Sequence, residues 1–423
     1  MNYFQNEWHL NKLQRHGLIG KCMFQLLDHF ANLSFLYRIL PGHAVLSRIA
    51  GSDPLEFRKF PNFSMSLKIL HMNDKANFLY KLIFLVSIFF APVSRGEISG
   101  ELFLFPKVTA IFRSDLENAS ALENDDYKYG VDIFATYEYR DFRVLGEYLL
   151  TEDGPDLERI ILGWVVSDHT FWIGRNHTPI EYWNTQFHHG SYLETSISRP
   201  AIVEYEHDGG ILPMHMGGLL LEGVFKRGEQ GFGYAWSIGV GPEYEGILEE
   251  WHPLSPKTGN QDISTTLNLY LEPVLYAPTR YGLFVNYTEI PAKSRGLDEI
   301  KQISSGIYGN WKSQSWRLIG SSFFIHNRLE SSIGAREDEF FSAYLQAEYS
   351  LSDKWILYGR LEASIGDEDD AYLALFPEFI NERIMGGIRV NIIHHNALKL
   401  EFSRNRTSDD VYGQFMLQWD AMF

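Results

Sequence analysis

Strict alternation of apolar and polar residues is the feature of this sequence that most limits its fold. Between residues 127 and 139, apolar or aromatic side chains fall at every second position, and polar ones such as Lys128 and Asp132 lie between them. The same period recurs in 265–272, 281–288 and 341–351. A period of two gives a strand one apolar and one polar face. The pattern therefore predicts an all-β chain after residue 97.

Sixteen predicted strands follow one another to the end of the chain. They lie at 99–112, 127–139, 142–151, 157–166, 170–176, 214–225, 232–241, 264–275, 281–290, 300–311, 316–327, 339–351, 354–364, 379–392, 397–406 and 411–423. Tight connections alternate with generally longer ones, such as 177–213 and 328–338, as in outer-membrane barrels. A soluble sandwich also has strands with one apolar face. Strand length and loop alternation favour an antiparallel transmembrane β-barrel of about 16 strands.

The first 96 residues lack this pattern. Residues 1–71 have no regular period, whereas 72–96 combine a basic start, twelve uncharged residues at 82–93 and small residues near the end. Such a segment is typical of a secretory signal peptide, and it is too short to span a membrane as a helix. We expect 1–71 to be a mis-annotated extension without a fold, 72–96 to be removed, and 97–423 to form the barrel. A buried core helix or an N-terminal anchor is the alternative for 72–96.

Charge and cysteine content exclude other classes of protein. The net charge of −17 argues against nucleic acid as a partner, because phosphate contacts need a basic surface. The single cysteine, Cys22, lies in the 1–71 segment and can supply neither an internal disulfide nor a multi-thiolate metal site.

The last predicted strand ends the chain on an aromatic residue. Apolar residues occupy alternate positions from Val411 to Trp419 and Phe423. This arrangement resembles the C-terminal signature of bacterial outer-membrane barrels, which implies that Phe423 is an assembly signal read by the barrel-assembly machinery. A closing strand is needed because the unpaired backbone groups of a sheet edge have no hydrogen-bond partners in lipid.

Together, the strand number, the loop pattern and Phe423 resemble the Gram-negative outer-membrane porin class, including its general-diffusion and phosphate-selective types. The stretch 174–222, which contains Tyr-Trp-Asn-Thr-Gln-Phe-His-His-Gly, is also similar to an uncharacterised family of proteobacterial porin-like proteins. The resemblance implies an outer-membrane channel for passive diffusion of small hydrophilic solutes or ions. It also implies contact with lipid and lipopolysaccharide, and a possible homotrimer. The alternative is a plugged, non-conducting barrel with an adhesive or envelope-structural role.

The resemblance further implies that the long loop 177–213 folds into the lumen and narrows it. We expect the constriction to combine wall arginines with charged loop residues: Arg143, Arg159, Arg175, Glu181, Glu194, Arg199, Glu204, Glu206 and Asp208. Rings of charge and pore width set selectivity in such channels. The alternative is that these charges pair with neighbours across adjacent strands.

Metal and enzyme functions have weaker support in the sequence. His177, His188, His189, His207 and His215 lie in or beside the long loop, and with nearby acids they could bind zinc or copper. No metal-binding spacing supports such a site, and solvated or hydrogen-bonded histidines are the simpler interpretation. No Gly-x-Ser-x-Gly elbow follows residue 97. The sequence predicts neither a cofactor nor an enzyme.

Overall fold

The computed structural model describes six parts of the chain: 98–114, 125–152, 154–187, 190–253, 261–366 and 369–423. The predicted extension 1–71 and signal peptide 72–96 lie outside the described residues, as do His188 and His189. Processing of the N-terminal segment therefore stays a prediction.

The described residues form eighteen strands. These are β1 Ile98–Ser114, β2 Asp125–Tyr139, β3 Phe142–Thr151, β4 Gly154–Val166, β5 His169–His177, β6 His215–Arg227, β7 Gln230–Val240, β8 Glu243–Tyr244, β9 Leu248–Glu249, β10 Ile263–Glu272, β11 Arg280–Pro291, β12 Leu297–Lys312, β13 Trp316–Ser331, β14 Gly334–Ser350, β15 Trp355–Gly366, β16 Glu382–Ile393, β17 Asn396–Arg406 and β18 Val411–Ala421. One short α-helix, α1, spans Trp183–Gln186. No helix among the described residues has the length and apolar character that crossing a membrane requires.

Sixteen of these strands close into one antiparallel barrel, and β8 and β9 form a separate small hairpin between β7 and β10. Each barrel strand pairs with its neighbours along the chain, and β18 pairs with β1 to close the ring. The predicted fold class and strand number are therefore confirmed. Complete pairing removes the exposed edges that a sheet in lipid cannot tolerate.

The two ends of the described chain form the closing seam. Lys107 lies opposite Asp420, and the pairing continues to Ser114 opposite Gly413. Beyond the end of β18, Leu104 and Phe423 exchange two backbone hydrogen bonds, each of 3.0 Å. The last residue of the chain is thus part of the pairing between its two ends.

The two faces of the wall differ in polarity, as β14 illustrates. Phe341 and Leu345 point outward and are 45% and 55% exposed, whereas Ser342 and Gln346 on the other face are buried. The same alternation recurs around the barrel, with exposed large apolar side chains on the outer face. An apolar outer face suits a barrel in a bilayer, and the inner face carries polar side chains together with the buried apolar ones of β11–β14.

One predicted long loop is wrong. The sequence predicts a connection at 328–338, but β13 and β14 stay paired until Ser331 lies opposite Gly334, which leaves only two residues between them. Charged side chains continue the ladder: Arg328 Nη1 donates a hydrogen bond to Glu337 Oε1 at 3.4 Å. Cross-strand ion pairs stabilise a strand segment made of polar residues. Such a segment has the composition of a loop, which is why the sequence pattern predicted one here.

Candidate channel constriction

The longest connection joins β5 to β6 and spans 178–214; we call it the long loop. Its two ends are adjacent, because His177 and His215 are register partners and Thr178 N donates to Met214 O at 2.8 Å. Between these ends the loop contains α1 and three short 3-10 segments, Ser191–Leu193, Ala201–Val203 and Glu206–Asp208. Such local structure makes the loop an ordered element.

The middle of the long loop is hydrogen-bonded to the inner face of β14–β17. Thr195 Oγ1 donates to Glu348 Oε2 on β14 at 2.9 Å, and Lys399 Nζ on β17 donates to Ser191 O at 2.7 Å. Arg389 Nη1 on β16 donates to the carbonyls of Tyr192 and Glu194 at 2.6 and 2.7 Å. The wall therefore supplies the donors and acceptors that the loop backbone requires once water is removed.

Two buried arginines of the wall converge on one loop carbonyl. Arg360 Nη2 and Arg383 Nη1 donate to Arg199 O at 2.7 and 2.8 Å. Both guanidinium groups also reach Glu362 Oε1, at 2.7 Å from Arg360 Nε and 3.1 Å from Arg383 Nη1, and Ala201 N donates to Glu362 Oε2 at 2.7 Å. A buried ion pair is tolerated when its remaining hydrogen bonds are satisfied. This network therefore anchors the loop to β15 and β16.

Apolar packing holds the other side of the loop. Its Ile180, Trp183 and Val203 are fully buried in one cluster with Phe323 of β13 and Tyr344 of β14. The cluster also includes residues of the 369–381 connection between β15 and β16, such as Tyr372. Large side chains of the loop are therefore packed closely against the inner face of β13 and β14.

The structure places two of the three predicted wall arginines in cross-strand pairs. Arg143 Nε lies 2.9 Å from Glu138 Oε1 of β2, and Arg159 Nε lies 2.6 Å from Glu147 Oε2 of β3. The Arg159 pair is buried, whereas the Arg143 pair is partly exposed. Both ion pairs agree with the alternative hypothesis, in which charged residues of the wall pair with neighbours on adjacent strands.

Arg175 is buried by contacts from another part of the chain. Arg175 has the parity of Phe171 and Ile173, which are 49% and 56% exposed on the outer face, yet Arg175 itself is only 1% exposed. Its guanidinium pairs with Glu250 and donates from Nη1 to Trp251 O at 2.9 Å, both in the connection between β7 and β10. That connection covers Arg175, so alternation alone could not predict its burial.

Two loop acids predicted at the constriction are buried. Glu181 accepts a hydrogen bond from the Tyr344 hydroxyl at 2.8 Å and another from Asn184 N at 2.9 Å. Burial nevertheless raises the pKa of the Glu181 carboxyl to about 7. Burial also raises the pKa of Glu194, although Arg199 lies 4.0 Å away and opposes the shift.

The remaining predicted loop acids lie near the second end of the loop. Glu206 is fully buried and contacts His215, with Oε2 2.9 Å from Nδ1. Glu204 is partly exposed, and Asp208 is exposed. Arg199 is buried, with its guanidinium carbon 3.8 Å from the centre of the Tyr205 ring. Glu206 and Arg199 are therefore buried, whereas Glu204 and Asp208 form an edge of the loop that contacts solvent.

The structure adds one residue that the prediction omitted. Lys128 lies on the inner face of β2, with its Nζ 3.6 Å from Asp208 Oδ1, and the two side chains are 48% and 41% exposed. The alternation in 127–139 already puts Lys128 on the polar face of its strand. Its closeness to Asp208 depends on the path of the long loop. The sequence of that loop has no periodic pattern from which its path could be predicted.

A closed antiparallel barrel of sixteen strands with an apolar outer face is the architecture of outer-membrane porins, and comparison with solved structures agrees. The chain is similar to OmpT, an outer membrane protein of Vibrio cholerae, with TM-score 0.53 and 11% identity over 79% of this chain and 100% of that one. It is similar to the outer membrane channel DcaP of Acinetobacter baumannii, with TM-score 0.52 and 10% identity over 79% and 99%. An anion-selective porin from Comamonas acidovorans gives TM-score 0.52 and 13% identity over 77% and 100%.

These likenesses establish the fold as that of the outer-membrane porins. No family model matches the sequence, and no curated protein matches it.

Proposed function

We propose that this protein is an outer-membrane channel through which small hydrophilic solutes or ions diffuse passively. The observation that carries the proposal is a closed sixteen-strand barrel with an apolar outer face, in which the charged side chains of Lys128 and Asp208 stay solvated on the inner side. A barrel of this strand number is wide enough for an aqueous channel. No chemical step is required of the protein, so we assign it no enzymatic activity.

In the proposed mechanism, the long loop narrows the lumen and excludes larger solutes. The narrow region is bounded by the solvated edge of the loop, with Glu204 and Asp208, and by Lys128 of β2 opposite. Charges of opposite sign on two sides of a pore act on a passing ion or dipole. Arg143 contributes from its partly exposed pair, whereas Arg159, Arg175, Glu181, Glu194, Arg199 and Glu206 act by holding the wall and loop in place.

The second candidate function is a plugged barrel with an adhesive or structural role. The apolar cluster of loop and wall residues favours it, because that cluster joins Trp183 of the loop to Phe284 of β11 and Tyr344 of β14. Apolar packing of this kind blocks water wherever it extends. The charged side chains Lys128 and Asp208 favour the channel instead, because both remain solvated.

Planar-bilayer conductance of the purified protein distinguishes the two functions. If the protein is a channel, we expect discrete current steps in potassium chloride. The protein used must show the heat-modifiable gel mobility of a folded barrel. Folded protein that gives no steps over many insertions would refute the channel and leave the plugged barrel.

The proposal includes the setting in which such a channel works. We place the protein in the outer membrane of a Gram-negative bacterium, in contact with lipid and lipopolysaccharide, with a homotrimer as the proposed assembly. Phe423 serves as the signal for the barrel-assembly machinery, in keeping with its position at the seam. Deletion of Phe423 should lower the amount of heat-modifiable barrel in outer-membrane fractions. An unchanged amount would contradict this role.

A further inference from the structure

Buried histidines and carboxylates meet where the long loop leaves and rejoins the wall. Glu158, His177 and His215 are 0%, 5% and 1% exposed. Each offers one ligand atom within 4.8 Å of the other two. They come from β4, the last residue of β5 and the first residue of β6.

The distances suit a metal ion. His215 Nε2 lies 3.2 Å from Glu158 Oε2, and the ring centres of His177 and His215 are 4.7 Å apart. Two ligands that each lie about 2 Å from zinc in a tetrahedral arrangement are about 3.3 Å apart. The three side chains therefore need only small movements to bind one ion.

The other nitrogen of His215 has the partner that a metal ligand requires. Nδ1 lies 2.9 Å from Glu206 Oε2, and Glu206 Oε1 accepts from the backbone N–H groups of Met214 and His215 at 2.6 and 3.0 Å. A ligating histidine usually directs its second ring nitrogen to a carboxylate, which fixes the tautomer and the ring orientation. With Nδ1 held by Glu206, the opposite ring nitrogen Nε2 points at Glu158 and is the atom that would bind the ion.

The local strand geometry supports the same assignment. The pairing of β3 and β4 shifts register between Glu147 and Tyr148, which places Glu158 at a β-bulge. Bulges occur next to functional sites because they re-aim a side chain. Here the bulge brings the carboxylate of Glu158 to His215, on a strand that does not pair with β6.

Buried charge gives an independent reason for a cation. The carboxylates of Glu158, Glu206 and Glu250 all approach His215, at 3.2, 2.9 and 3.2 Å. Glu250 is also paired with Arg175. Carboxylates gathered in a buried site are stabilised by cations or metal ions. A dication bound here would offset this negative charge.

We propose that Glu158, His177 and His215 form a binding site for a divalent transition metal ion such as Zn²⁺, with Glu206 as a positioning residue. Two imidazoles select zinc, copper or nickel over calcium and magnesium, which prefer oxygen. Because the ligands lie on β4, β5 and β6, the ion clamps both ends of the long loop to the wall. This site revises the sequence-based expectation of solvated histidines, and it does not depend on channel activity.

The test is metal binding by the full barrel, refolded in detergent after treatment with a chelator. We expect one Zn²⁺ per folded chain by calorimetry and elemental analysis, with loss of that site in His177→Gln. Glu206→Gln should weaken binding by about 10- to 100-fold. His169→Gln is the matched control, because His169 begins β5 at its opposite end, and it should bind as the wild type does.

X-ray absorption at the zinc edge keeps the proposal testable even where a variant fails to fold. The wild-type spectrum should show two imidazoles and at least one carboxylate oxygen. Absence of stoichiometric binding, a spectrum without imidazole, or unchanged binding in a folded His177→Gln protein would each overturn the assignment.

Discussion

Lys128 of β2 and Asp208 of the long loop face each other with their charged atoms 3.6 Å apart, and both side chains are close to half exposed. They join the wall to the loop at a point that solvent reaches. Exposed pairs contribute little to stability, about 0–1 kcal/mol. Their significance therefore lies in the field that a passing ion would meet.

Neutralising either member of this pair should change ion selectivity in opposite directions. Lys128→Gln removes a positive charge and should shift the reversal potential in a potassium chloride gradient toward cation preference. Asp208→Asn should shift it toward anions. The matched control is Lys226→Gln, because Lys226 pairs with Asp168 at 2.6 Å with equal exposure of 41% at a tight turn. Equal shifts in the Lys226 and Lys128 variants would contradict a local effect at the constriction.

Loss of Glu362 should destabilise the barrel strongly. Glu362→Gln leaves Arg360 and Arg383 buried without their shared carboxylate, and breaking a buried ion pair costs about 3–5 kcal/mol. Urea unfolding in lipid vesicles measures the change. Glu382→Gln disrupts an exposed pair with Arg406, 3.3 Å apart, and should cost about 0–1 kcal/mol. Similar losses in both variants would show that the Glu362 network does not anchor the long loop to the wall.

The carboxyl of Glu181 should make stability depend on pH. Its pKa in the folded protein is about 7, above the ordinary 4.5, because burial disfavours the charged form. The folded state therefore keeps its proton longer, so this stabilisation is complete below about pH 4.5 and is lost as pH rises through about 7. The loss amounts to about 3 kcal/mol at most.

Glu181→Gln mimics the neutral carboxyl, so the variant should lose less stability than the wild type between pH 4.5 and 8. Unfolding midpoints across that range provide the measurement. Glu339→Gln, at a side chain that is 62% exposed, serves as the control and should follow the wild-type profile. Parallel profiles for wild type and Glu181→Gln would rule out this titration.

Deletion of 184–208 should raise conductance. The segment includes the 3-10 turns at Ser191–Leu193 and Ala201–Val203, whose backbones are hydrogen-bonded toward Lys399 and Glu362. Its removal exposes Lys399 and Glu362 to water and should widen the path of ions through the barrel. Single-channel recording of the heat-modifiable variant measures the effect. Unchanged conductance would place the segment outside the ion path.

Periodicity predicted the architecture because burial and exposure alternate with the same period as the residue types. It also put Lys128 on the polar face of β2. It did not predict the burial of Arg175, which comes from contacts with Glu250 and Trp251 in a distant connection. It failed again near Arg328, where paired charges extend two strands.

The histidine cluster was visible in the sequence only as a local abundance of one residue type. Glu158, His177 and His215 are far apart in the chain, and they meet because β4, β5 and β6 are adjacent in a particular register. Residue alternation fixes the face of a side chain but not the register that brings it to a partner. The path of the long loop is equally non-local, so its contacts with Arg360 and Arg383 carried no sequence signal.

The closing seam has a consequence for how the protein is made. Gln418 of β18 donates to Thr109 of β1 across 309 positions of sequence, and Phe423 itself takes part in the pairing. Contacts between distant residues form slowly, because the chain loses loop entropy before they are gained. The ring cannot close until β18 has been synthesised and lies beside β1. Until these two distant strands meet, the wall is an open sheet with two unpaired edges, and the same backbone groups that seal the finished barrel are the ones most open to wrong partners.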